Sequence, residues 1–406
     1  MAMKQTQTKL FNFSDTGLDF CSGSKNLFPD RFKKMLALGY NVQTVSSVAV
    51  AGSQVTLTYG VSHGYVADRV LKVDSGALAS INGGEFWVDL VTTNTVTFTL
   101  DSAPSSVLGG FTTRIAPLGW SLEYEQPYVH LYKMKNLDES DLYVRLVFQA
   151  VSNYRNRVGV CVGHATDVAA GTITDTLTLT QYATATVPND TFAWEFQLTA
   201  EATYNNQTAA QGLVKFGACL AVGSKYHLAI MGNLGTAAAQ YVNGIFPTHT
   251  FNYDNTNYPL LCGTTYGNPT TNGYNYQGAG PRSGMMLGKF RCIFQETNLL
   301  ADQPVAKNPV AYNSFLPTEI DNFNTTTCKP IPLILQQNGQ MLGYVAGGMY
   351  LCSYAATNAP KVAVDILPLK TVDIDLNSNV YVHTIPNGGS DNAFYAIPVE
   401  EIKIVS

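Results

Sequence analysis

Charge is what this sequence has least of: 24 Lys and Arg with 29 Asp and Glu make 13% of 406 residues, about half the share usual in soluble domains. Basic residues gather no further than pairs such as Lys33-Lys34, and the net charge is −5. That leaves no electrostatic footprint for nucleic acid or an anionic membrane. Scarce charge does not mean disorder, because 46% of the residues are hydrophobic and the net charge is small. Long apolar runs are missing too. No window approaches the roughly 18 residues that a spanning helix needs, and the start, MAMKQTQTKLFNF, has no apolar signal core. Classical secretion and membrane insertion are both disfavoured, and synthesis in a cytoplasm is expected. The seven cysteines are odd in number and far apart, without a C-x-x-C pair. They read as reduced, buried thiols rather than a disulfide framework or a zinc site.

Catalytic signatures are equally scarce. H-E-x-x-H, the P-loop and G-x-S-x-G do not occur. GAGPRSG (278–284) has the wrong spacing for a dinucleotide loop and contains Pro281. SGSK (22–25) matches S-x-x-K by letters only, in a stretch where nothing is expected to desolvate the lysine. The six histidines are isolated, and the pairs Glu123/Glu125 and Asp138/Asp141 suit solvent-facing strand positions better than a glycosidase site. The expectation is a non-enzymatic protein with no catalytic residue, cofactor or metal.

What is abundant is the material of strands and turns. Val55, Leu57 and Tyr59 alternate with threonines, as do Val96, Phe98 and Leu100, a period of two that marks half-buried strands. SINGGEFWVDLV (80–91) reads as a hairpin, with Asn82-Gly83 supplying positive φ, Phe86, Val88 and Leu90 facing the core, and Glu85 and Asp89 facing water. FPDRFKKMLALG spaces Phe28, Phe32, Met35 and Leu36 as a short amphipathic helix, with Pro29 in its first turn and Gly39 at its end. The fold class is therefore all-β, a small N-terminal barrel or sandwich with one short helix followed by a larger antiparallel β-sandwich region. DSAPSSVLGG (101–110) suggests a boundary near 115. The organisation expected is an extended arm (1–27), a small β domain (28–115), a β-sandwich domain (116–303), and a C-terminal β segment (304–406) that is either separate or completes its predecessor. LVKFGACLAV and TLTLTQY are among the runs read as strands.

Two regions read as contact surfaces. In the arm, Phe11, Phe13, Leu18 and Phe20 lie among Ser, Gly and Asp. They need a cover, and the reading is that the arm docks on a neighbouring subunit and is mobile in the monomer, the alternative being that it packs on its own domain. The long stretch 251–284 carries Tyr253, Tyr258, Tyr266, Tyr274 and Tyr276 in an Asn, Gly and Thr matrix with only Asp254 and Arg282 charged. Tyrosine offers large contact area at low entropic cost, so this loop is either a surface for protein or sugar or a loop packed on its own domain.

Ser62-His63-Gly64, Ile81-Asn82-Gly83 and Ala116-Pro117-Leu118-Gly119-Trp120, with the strands around them from about 28 to 150, resemble a domain of virion structural proteins of tailed bacteriophages. KYHLAIMGNLG and GQMLGYVAGGMYLC resemble later parts of such proteins. The resemblance implies assembly into a virion, with other virion proteins and further copies of the chain as partners. It does not say which part of the particle; the leading expectation is a collar, neck or baseplate subunit, with a capsid decoration protein or head fibre close behind and a host glycan as a further candidate partner.

Overall fold

The computed structural model describes residues 8–189, 192–197, 199–235, 240–253, 255–263, 285–293, 327–353, 367–373, 378–386 and 392–399. Strands dominate, and the fold is all-β.

The alternating threonine-rich strands build a small barrel. Its order is Glu85–Trp87, Val70–Val73, Thr112–Ile115, Tyr40–Ala51, Gln54–Tyr59, Thr95–Thr99 and Leu90–Val91. The first and last of these are neighbours in the chain. Val88 donates its N–H to Arg69 and Asp89 donates to Thr97, so one bent segment bonds both ends of the sheet and leaves no open edge. Val45, Val55, Leu57, Phe86, Val88, Val96 and Phe98 fill the interior, with the Phe86 and Phe98 rings stacked 4.4 Å apart. Asn82 and Gly83 do have positive φ, 52° and 64°. They do not form a two-residue hairpin, however: two 3-10 turns, Ala77–Ser80 and Asn82–Gly84, carry the chain back to pair with Val70–Val73. Two positions on this run correct the simple alternation. Leu90 is 62% exposed, because the bend that closes the barrel lies between it and Val88, and Glu85 is 7% exposed, because Lys9 meets it inside.

The helix forms where its spacing indicates, as Phe28–Lys33 running into a wider π turn, Lys34–Leu38. Gly39 ends it at φ 77°, and a side chain there would come within 2.4 Å of the Ile115 carbonyl, so glycine is required twice over. Phe28, Phe32, Met35 and Leu36 are buried.

The N-terminal segment overturns the detachable-arm reading. Lys9–Asn12 is a strand antiparallel to Leu220–Ser224. Phe11, Phe13, Leu18 and Phe20 are each no more than 2% exposed, and Phe13 stacks on Phe20 at 3.9 Å. The series continues through Phe28, Phe196 and Tyr241, joining this segment to the helix and to both large sheets. Two buried ion pairs fasten it. Lys9 Nζ lies 2.9 Å from Glu85 and donates to the Pro117 carbonyl at 2.6 Å, while Asp15 takes a bidentate pair from Arg69, both bonds 2.8 Å. Of the two possible covers for these apolar residues, the chain's own interior is the one observed.

Beyond the barrel stand a five-stranded sheet (Ser121–Gln126, Val129–Lys135, Asp141–Val147, Arg157–Gly163, Trp194–Glu195) and a ten-stranded one. The latter begins with Lys9–Asn12 and ends with Thr248–Thr250, one residue after Gln240–Phe246, so it curls back on itself. It takes in Pro332–Leu335 and Met341–Val345, so the chain after 304 shares a sheet with the chain before it. Thr327–Lys329, Tyr350–Ser353, Leu369–Asp373, Ser378–Pro386 and Asn392–Val399 form a further five-stranded sheet. One apolar core runs from Phe11 through the barrel and the first five-stranded sheet to Met286 without a break at 115. Residues 213–216, read as strand, belong instead to the helix Ala209–Phe216. Thr208 and Gln211 form a capping box at its start and Gly217, φ 68°, closes it, local signals that outweigh strand propensity. In TLTLTQY only a 3-10 turn forms, Thr180–Tyr182.

Candidate contact surface

The tyrosines of 251–284 divide. Tyr258 is buried; its hydroxyl donates to Asp175 at 2.8 Å and its ring meets His164 edge-on at 5.0 Å, so it pins a loop between two sheets. Tyr266, Tyr274, Tyr276 and Arg282 lie outside the described residues. Tyr253 is the one that faces solvent, 42% exposed, and it belongs to a group that the sequence does not reveal: Phe251 is 44% and Tyr344 42% exposed. Phe251 stands edge-on to both, with centroids 6.3 Å from Tyr253 and 6.4 Å from Tyr344.

The geometry comes from the last strand of the ten-stranded sheet. Among the described residues Thr248–Thr250 pairs with Met341–Val345 alone, placing His249 opposite Tyr344 and Thr250 opposite Gly343. A side chain at Gly343 would lie 2.2 Å from the His249 carbonyl, so glycine permits the close approach. Leu342 and Val345 turn into the core and Tyr344 turns out. Phe251 donates its N–H to Leu342, which fixes its ring beside Tyr344. Three aromatic rings, the exposed His249 and a sheet edge make a surface suited to burial against a protein partner, since interfaces favour aromatics and deplete Lys and Glu.

The remaining candidates resolve into structural roles. His63 accepts the Tyr65 N–H at Nδ1, 2.9 Å, and its Nε2 is 3.1 Å from the Thr95 carbonyl. His130 pairs with the Tyr132 hydroxyl at 2.8 Å, His227 with Ser224 Oγ at 2.9 Å, and His383 with the Gly232 carbonyl at 3.1 Å. Burial lowers the pKa of His130 and His383 to about 4 and of His227 to about 3. Among the described residues no three His, Cys, Asp or Glu side chains gather as a metal site. Glu125 pairs with Lys33 and Asp141 with Lys135, both at 2.6 Å. The SGSK lysine corrects expectation: Lys25 is buried, donates to the carbonyls of Ser152 (2.7 Å) and Glu201 (3.0 Å), and is brought down to about 8 by desolvation. The Ser22 hydroxyl, though, bonds Tyr241 at 3.1 Å, so the lysine ties backbone together. All seven cysteines are thiols.

A cavity of about 490 Å³ lies between Phe13, Phe20 and Cys21 on one side and Leu213, Ala218 and Cys219 on the other. Its walls are mostly apolar, with the Asp19 carboxylate turned to the Ala209 N–H at 3.2 Å. No helix among the described residues is long and apolar enough to cross a membrane. No protein-family model matches the chain, and no curated protein matches it.

Proposed function

We propose that this chain is a non-enzymatic structural subunit of a tailed-bacteriophage virion, placed in the collar, neck or baseplate, where it binds further copies of itself and other virion proteins. The observation that carries the reading is the exposed aromatic group Phe251, Tyr253 and Tyr344 beside Thr248–Thr250, one of the two end strands of the ten-stranded sheet. Each ring is already more than half covered, so a partner that buried the remainder would recover on the order of 1 kcal/mol per ring. The positions of the family-like motifs add support. His63 and Asn82-Gly83 hold barrel turns. Ala116, Leu118 and Trp120 tie the barrel strands to the helix and to the ten-stranded sheet, through the Val70 and Met35 carbonyls and through Trp120 Nε1 to the Ser224 carbonyl at 2.9 Å.

The test is the triple variant Phe251→Ser, Tyr253→Ser, Tyr344→Ser. Its thermal unfolding should match the parent, because the rings are outside the core, while its incorporation into particles falls severalfold. Incorporation at the parental level sinks the assembly role of this surface. Normal particles that no longer adsorb to cells would instead assign the rings to a host glycan.

A further inference from the structure

Two cysteines that lie 24 positions apart in sequence are brought face to face in the C-terminal sheet. Thr327–Lys329, the edge strand of that sheet, runs antiparallel to Tyr350–Ser353. The register sets Cys328 directly opposite Cys352, with their sulfurs 3.6 Å apart. Directly opposed residues on neighbouring antiparallel strands are about 4.5–5.5 Å apart at Cα, within the roughly 4.4–6.8 Å that a disulfide spans. Side-chain rotation alone can therefore bring the sulfurs to bonding distance. The two thiols are not equally placed. Cys352 is 2% exposed in a small cluster with Val380, Val382, Phe394 and Ala396, whereas Cys328 is only half-buried at its margin.

We propose that Cys328 and Cys352 are an oxidative modification site, which closes a cross-strand disulfide by exchange with a small-molecule disulfide of the oxidised glutathione class. The Cys328 thiolate attacks one sulfur of glutathione disulfide and releases one glutathione thiolate, which takes up a proton. The Cys352 sulfur, having lost its proton, then attacks Cys328 Sγ and displaces the second glutathione, which is protonated in turn. The protein loses two electrons and two protons, and the glutathione disulfide gains them. Selectivity comes from burial. Cys21, Cys161, Cys219, Cys262 and Cys292 are all buried, and desolvation raises the pKa of each, to about 12 for Cys161 and Cys292, so they stay protonated and out of reach. The bond would clamp the edge strand onto its sheet.

The full chain is incubated with oxidised glutathione at about pH 8, near a free thiol's pKa, then quenched in acid, denatured and assayed for thiols. The count should fall from the seven of the reduced chain to five, with a peptide map linking Cys328 to Cys352 and no retained glutathione. Cys328→Ser should keep all six of its thiols under the same treatment. Seven thiols surviving, a bridge between any other pair, a glutathione adduct persisting on Cys328, or thiol loss in the Cys328→Ser chain would each overturn the proposal.

Discussion

Lys9 and Glu85 form an ion pair whose two ends are 3% and 9% exposed, and burial lowers the lysine pKa against the opposing pull of the carboxylate. Removing one partner leaves the other charge unpaired in the interior. Lys9→Met is therefore expected to cost about 3–5 kcal/mol in urea unfolding, and adding Glu85→Leu should restore most of it. A single variant as stable as the parent would show that the pair is dispensable. Alternation in SINGGEFWVDLV gives the inward positions of Phe86 and Val88 directly. It cannot give Glu85, whose partner is 76 residues away, nor Leu90, which lies past the bend that closes the barrel. The same limit hides the contact surface. A run of tyrosines directs attention to 251–284 and to Tyr253, but Phe251 and Tyr344 become neighbours only through a register between distant strands.

At the scale of elements, the strands with clean period two and the helix ending at Gly39 are legible, because each is specified locally by side-chain spacing and one obligatory glycine. The N-terminal segment is not. Its residues look like an arm until the strand at Leu220–Ser224 and the charges of Glu85 and Arg69 are brought to it. Deleting residues 1–22 removes a strand, six buried apolar side chains (Leu10, Phe11, Phe13, Leu18, Phe20 and Cys21) and half of two buried ion pairs, so the truncated chain should lose its cooperative thermal transition by circular dichroism. A melt like that of the full chain would restore the detachable arm. The segment 101–110 calls for a different result. Leu108 is 90% exposed, and limited chymotrypsin should cut beside it. The two pieces should then elute together on gel filtration, because Thr112–Ile115 sits between Val70–Val73 and Tyr40–Ala51. Separation without denaturant would mean that the barrel does not hold its far strand.

For the whole molecule, the buried histidines set an acid limit. His130, His227 and His383 have folded pKa values of about 4, 3 and 4, below the ordinary 6.5. The unfolded chain therefore binds more protons between those values. Their stability contribution is complete above pH 6.5 and is lost as the pH falls toward 4, at about 1.4 kcal/mol per histidine per pH unit. Together the three groups remove on the order of 10 kcal/mol by pH 4, a large part of an ordinary stability of roughly 5–15 kcal/mol, so the urea midpoint followed by tryptophan fluorescence should fall steeply between pH 7 and pH 4. An unchanged midpoint over that range would contradict this protonation scheme. The central claim, a tail-side virion subunit, is tested most directly by quantitative mass spectrometry of purified particles, scaled to a protein of known copy number. A subunit that closes a ring should be present in a small multiple of the ring symmetry, on the order of ten copies. Absence from the particle would contradict the structural role, and a count in the hundreds would place the protein on the capsid instead.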